Sequence, residues 1–421
     1  MPTTRPEPQA RSRAVLLLAA VLMVGPLLAG CSGDPPADET PDGVAAEVLP
    51  LMKKLLRQRG HALVQADEQA FMATVDPSAP RFVEREQVYF ANMAQLPVRR
   101  LAYRVEADSL VRAAGGFDVV VQVHLQLGGF DAVPVVRPAL FHFTHDPASG
   151  TVLVAGDRDR SWEQRTGVEV QPWDDQAITV VQRGGVLGIF DRQSALQADQ
   201  VMRAVEDGID EVADVVPYDW DAHVVAYALS DTDLLEGLDD LPAEDPDALD
   251  AVSFPVPSRL DRDAPLAGTR FLLHPRMLAS EADQLARLIR HELTHVALGS
   301  RDDEVPTWLG EGIAEWVSVQ PLPADERLIS QSAIDAADAG LDELPADVDY
   351  NDADQAAHYG ISWWACETIV EMYGEERLWQ LLDDLAQTSP ERQDDQLQQT
   401  LQMGSAQLAR EAARRIVATY E

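Results

Sequence analysis

The stretch RHELTH at 290–295 constrains this chain more than any other. It lies within EADQLARLIRHELTHVALG (281–299), where Leu285, Leu288, Ile289 and Val296 recur at helical spacing and Gly299 offers a C-cap. Side chains four apart on a helix project side by side, so His291 and His295 can share one metal ion. Glu292 lies one step around, displaced from that pair and placed to hold a water. The apolar stripe sets all three beside the core, where unpaired imidazoles and a carboxylate are costly. A bound metal removes that cost. Without one, the motif reduces to two polar histidines and an incidental Glu on a helix face.

The residues after the motif narrow the choice. Beyond Gly299, SRDDEV (300–305) reverses the chain, and Pro306 opens PTWLGEGIAEWVSVQ (306–320), with Leu309, Ile313, Trp316 and Val317 at helical spacing. A second helix packed antiparallel to the first brings Glu311 opposite the two histidines. The set His291, His295 and Glu311 has the ligand types of a catalytic zinc site, with a fourth position open. Glu315, one turn beyond Glu311, can accept the free ring N–H of a ligand histidine and fix its tautomer.

HELTH followed by WLGEGIAEW resembles the gluzincin metallopeptidases, the peptidase MA-like clan, in which a WLxEGxA segment supplies the glutamate ligand. Position by position, the resemblance implies His291, His295 and Glu311 as zinc ligands and Glu292 as the catalytic glutamate. It implies one Zn2+ per chain and hydrolysis of peptide bonds, with Glu292 taking a proton from the attacking water and returning it to the leaving amine. Relatives complete the oxyanion site with a downstream Tyr or His. Here Tyr359 is the first candidate, with His358 and Tyr350 behind it. The strand RFLLH (270–274), just before the active helix, is expected to pair with an extended substrate. The interval between HELTH and Glu311 is shorter than in the aminopeptidases with a WLNEGFA segment, and their GxMEN motif is absent, so no substrate rule carries over.

The remainder organises around this core. Arg5, Arg11 and Arg13 precede the apolar run AVLLLAAVLMVGPLLAG (14–30), which ends at Cys31. That pattern describes an export signal, and LLAGC resembles a bacterial lipobox, implying a mature chain acylated at Cys31 and anchored to the extracytoplasmic face of a membrane. Residues 31–42 read as a flexible, Pro-rich tether. Residues 43–160 read as an accessory domain: helical spacing at Val48, Leu51 and Leu55, a helical stretch near 82–95, then alternating strands at 100–107, 117–127, 139–145 and 151–156. Helices followed by a curved meander resemble NTF2-like folds. His142 and His145 are spaced three apart, wrong for one strand face, and read as ordinary strand residues.

Residues 165–421 read as the metallopeptidase domain, an α+β arrangement with short strands at 177–181, 186–190 and 223–229, a helix over 192–216, and helices dominating after 274. The acidic stretch 231–266, with five prolines, reads as a long loop. Cys366, in ISWWACETIV, reads as a small core residue with no disulfide partner. With 33 basic and 71 acidic side chains, the net charge of −38 disfavours nucleic acid as a partner. The expected function is thus a lipid-anchored zinc peptidase acting on peptides or proteins. The competing reading is a binding or scaffold lipoprotein with a vestigial zinc site.

Overall fold

The computed structural model describes residues 41–238, 241, 246–261 and 264–420. The stretch expected to be an export signal, Cys31 and most of the expected tether lie outside the described residues. The chain divides between Val44 and Ala45; of the first unit only 41–44 are described, as the start of helix α1 (Pro41–Val64). Among the described residues no helix is long and apolar enough to cross a membrane.

The second unit mixes α and β structure. After α1 and helix α2 (Pro80–Met93) comes a curled antiparallel sheet. Its strands are β1 (Val98–Val105), β2 (Val111–Ala113), β3 (Gly116–Leu127), β4 (Val135–Asp146) and β5 (Thr151–Gly156). They run in the order β1-β3-β4-β5, with β2 paired to β3. Register shifts near Val98 and His142 mark bulges, which bend strands. His142 bonds Asp118 at 2.6 Å.

The second sheet comprises β6 (Ile178–Arg183), β7 (Val186–Asp191), β8 (Val224–Ala228), β9 (Ala251–Pro257) and β10 (Leu266–Leu273). Its order is β6-β7-β8-β10-β9, parallel across β7-β8-β10 and antiparallel at both margins. Strands β7 and β8 are buried along their whole length, as expected where both faces are covered. The alternation of side chains decides what covers them. Val224, Ala226 and Ala228 join the helical core with Phe271 and Leu273, while Val225 and Tyr227 join a cluster holding Phe71, Phe90, Leu101 and Leu127. The second sheet is therefore a middle layer whose far face is packed by the N-terminal part, and the hydrophobic cluster on that face draws on both 43–160 and 165–421.

Helix α3 (Ala198–Ala213) packs on the helical face; it is shorter than the 192–216 expected, because Ser194–Gln197 form a 3₁₀ turn. Helices α4 (Ala282–Leu298), α5 (Thr307–Ser318) and α6 (Gln355–Tyr373) complete the layer around the site. Helices Glu375–Leu385, Gln393–Leu401 and Ser405–Tyr420 follow α6. Cys366 is fully buried, and burial pushes its thiol well above the ordinary range.

Two expectations fail. The stretch 231–266 is not one long loop: it contains a short helix, Asp233–Glu236, and the whole of β9. Prolines 255 and 257 suggest a loop, yet proline is tolerated on an edge strand, where no outward hydrogen bond is needed. RFLLH is consequently not an edge. Strand β10 is paired on one side to β8 and on the other to β9, so its main chain has no room for a substrate. The margin nearest α4 is β9.

Candidate metal centre and active-site cleft

Helix α4 forms as its stripe dictates. Leu285, Ile289 and Leu293 are fully buried, and Gly299 ends the helix at φ +56°, a conformation that glycine adopts without strain. His291 and Glu292 are both buried, and His295 is partly so. Helix α5 returns against α4, and Glu311 arrives opposite the histidines. His291 Nε2 and His295 Nε2 are 3.1 Å apart. Glu311 Oε2 lies 3.2 Å from the first and 3.5 Å from the second. That buried oxygen meets no aligned hydrogen-bond donor.

These three atoms pass a simple test of fit. A tetrahedral ion held about 2.0–2.1 Å from its ligands keeps the ligand atoms roughly 3.3–3.4 Å from one another, and the three observed separations straddle that value. Two ring nitrogens aimed at each other beside an orphaned carboxylate oxygen make a poor hydrogen-bond network and a good donor set. His291, His295 and Glu311 are the residues that would hold the ion.

Each of the two histidines has a carboxylate behind it. His295 Nδ1 is 2.6 Å from Asp302 Oδ2, and His291 Nδ1 is 3.1 Å from Glu315 Oε1, within ion-pair reach though not aligned as a hydrogen bond. Glu315 is itself held by Arg287 Nη2 at 2.6 Å, whose guanidinium lies over the Trp363 ring. Such partners fix ring orientation and tautomer. They also set the proton balance. Burial opposes a charged ring, but Glu311 and Glu315 outweigh it and push His291 up to about 9. Burial likewise opposes charge on His295, which Asp302 and Glu311 nevertheless raise well above its ordinary value. For Glu311, burial favours the neutral acid, but the two histidines hold it far below the usual carboxylate range.

Asp302 does not stand out in the sequence, where it is one of several acids in a loop. Its proximity depends on Gly310: a Cβ there would lie 2.4 Å from Asp302 Oδ1. Gly312, on the other side of Glu311, has a different duty. Its Cβ would sit 2.5 Å from the Ser362 carbonyl oxygen and 2.8 Å from Cys366 Sγ, so it permits α5 and α6 to touch. The two glycines of GEG thus flank Glu311 for separate steric reasons. A loop Asp close to an HExxH helix, paired with a Gly next to the distal Glu, is the signal that the sequence offers.

Glu292 faces β9. Its Oε2 accepts a 2.7 Å hydrogen bond from Ser253 Oγ, which also lies 3.2 Å from the Glu292 carbonyl oxygen. Ser253 escapes sequence reasoning because its strand has the composition of a loop. Of the three oxyanion candidates, Tyr359 faces the cleft, with its ring 5.9 Å from that of His291. Burial and the surrounding carboxylates keep its phenol protonated, well above the ordinary range, so it is available as a donor. Tyr350 is fully buried with its hydroxyl 3.1 Å from Ser362 Oγ, and His358 Nδ1 is 2.8 Å from the Tyr350 carbonyl oxygen. Those two are committed elsewhere. The cleft has a volume of about 780 Å³ and is lined by His291, Glu292, His295, Glu311 and Tyr359 on one side and by β9 on another. Comparison with models of known protein families and with curated proteins yielded no match to the chain.

Proposed function

We propose that this protein is a zinc metallopeptidase of the gluzincin type, exported and held at the extracytoplasmic face of a membrane by lipid on Cys31. In this reading 43–160 is an NTF2-like accessory domain and 165–421 a zincin-like catalytic domain. The observation that carries the proposal is the convergence of His291 Nε2, His295 Nε2 and Glu311 Oε2 to within 3.1–3.5 Å of one another, with Glu292 beside them in an open cleft. A zinc ion so held supplies a Lewis acid that polarises a carbonyl and acidifies water.

The chain's own residues account for the rest. Glu292, oriented by Ser253, is the base that removes a proton from the attacking water and delivers it to the departing amine. Tyr359 offers a neutral O–H to the oxygen on which negative charge develops. Asp302 and Glu315 hold the ligand rings. The outer margin of β9, unpaired among the described residues, presents main-chain groups to an extended peptide next to Glu292.

The test is zinc content and peptide hydrolysis for wild type, Glu292→Gln and Glu311→Gln. The expected result is about one zinc per chain in wild type and Glu292→Gln, cleavage in wild type only, and loss of zinc in Glu311→Gln. If wild type and Glu292→Gln both hold zinc and neither cleaves any member of a peptide library, the protein is a scaffold with a vestigial site.

A further inference from the structure

We infer that the cleft is blind at one end, so that this peptidase cuts near the free N-terminus of an extended chain, with no more than about four residues ahead of the broken bond. The inference rests on the peptidase reading above and adds a substrate class to it.

The closed end is built by the N-terminal sheet. Val136 N–H of β4 donates to the carbonyl of Ser258, immediately after β9, at 2.8 Å. Ala132 N–H donates to the carbonyl of Ala267 at 2.7 Å. Val135, Val256 and Ala267 form a small apolar cluster across the same seam, and the buried pair Arg270 and Asp131 ties β10 to the loop before β4. These are fixed contacts, and they place Val135, Val136 and Arg137 in the wall of the cleft that holds the histidines.

The margin of β9 carries a second restriction. Ser258 N–H donates to the Pro265 carbonyl and His274 N–H to the Asp250 carbonyl, so between them the even-numbered residues Val252, Phe254 and Val256 turn their main chain towards β10. The odd-numbered residues, Ala251, Ser253, Pro255 and Pro257, turn outward. Two of these lack an N–H. Outward donors therefore stop at Ser253, the residue that touches Glu292.

A peptide added antiparallel to β9, the more stable pairing, runs from the Pro257 end towards Ala251. Its N-terminal portion then lies over Phe254–Pro257, where donors are missing and β4 stands across the path. From Ser253 to Ser258 is five residues, roughly 17 Å of strand at about 3.4 Å per residue. That length admits about four substrate residues before the wall. Among the described residues no such seam crosses the other direction, past Ala251.

The experiment uses the zinc-loaded full chain and a peptide that it cleaves, found by mass spectrometry of a peptide library. That peptide is lengthened by two, four and eight residues at its N-terminus, and separately at its C-terminus. The expected result is a fall in kcat/KM of at least tenfold once more than about four residues precede the bond, against less than threefold for C-terminal extension. Arg137→Ala, which trims a half-buried side chain on the wall, is expected to relax the limit. Equal cleavage with long extensions at both ends overturns the inference and leaves the peptidase reading standing. Absence of cleavage of any peptide by the zinc-loaded protein removes the peptidase reading, and this inference falls with it.

Discussion

Replacing Gly310 by Ala separates the proposed zinc site from the fold that carries it. The new Cβ would stand 2.4 Å from Asp302 Oδ1, where ordinary contact begins at 3.4 Å. The carboxylate must retreat by about 1 Å, which stretches its 2.6 Å bond to His295 Nδ1 towards roughly 3.6 Å, beyond hydrogen-bonding range. Asp302 sits in a surface loop and can move without disturbing the core. Losing a carboxylate behind a ligand histidine lowers metal affinity by about 10- to 100-fold, or roughly 1.4–2.7 kcal/mol. The same change removes a glycine from a helix, which favours the helix by up to about 1 kcal/mol. Zinc affinity, measured by competition with a chelator, is therefore expected to fall while the midpoint of chemical denaturation in chelator holds or rises. Asp302→Ala is expected to lose a similar amount of affinity, and the double variant little more than either, because both remove one interaction. Affinity within threefold of wild type, or affinity and chelator-stability falling together, would refute the steric argument.

Gly312→Ala should behave in the opposite way, since its Cβ meets the backbone oxygen of Ser362 and α6 cannot yield cheaply; a loss of about 1–3 kcal/mol in denaturation is expected. Arg59→Ala strands the fully buried Glu86 that it pairs with, and the expected cost is about 3–5 kcal/mol in the same assay. The pH dependence stems from His291, whose ordinary value of 6.5 is opposed by burial but raised to about 9 by Glu311 and Glu315. A group raised on folding gives its full contribution to stability below the unfolded value and loses it as pH climbs through the folded one. Without zinc, that contribution is present at pH 6 and gone above about 9. Zinc competes with the same protons, so its affinity is expected to rise by up to about tenfold per pH unit for each proton displaced. The increase in Tm on adding zinc should accordingly widen from pH 6.5 to 9; an increase that is flat or shrinks over that range removes the assignment.

Much of the site is readable without coordinates because it is helical. An i, i+4 pair shares a face whatever surrounds it, so spacing alone pairs His291 with His295. The stripe that buries Leu285 and Ile289 also orients Glu292, and Pro306 marks where the return helix begins. Glu315 lies one turn from Glu311 by the same rule. Four of the five strands of the N-terminal sheet, all but the short β2, are likewise legible from alternation to within a few residues.

What tertiary structure alone decided is which segments meet. A strand's own residues do not say whether it lies at the margin of a sheet or within it, because that depends on a partner distant in sequence. RFLLH looks available and is enclosed, while the acidic, proline-bearing stretch around Ser253 looks like loop and is the exposed margin beside Glu292. Asp302 and the two glycines flanking Glu311 acquire their roles only when α5 and α6 close to contact distance. The shared core is of the same kind: alternate residues of β8 face opposite ways, and only packing reveals that one side is covered by the helices and the other by the N-terminal sheet. Local periodicity is set by backbone geometry within a few residues. Contacts between separate elements are set by shape and burial across the whole chain, and no short window of sequence contains them.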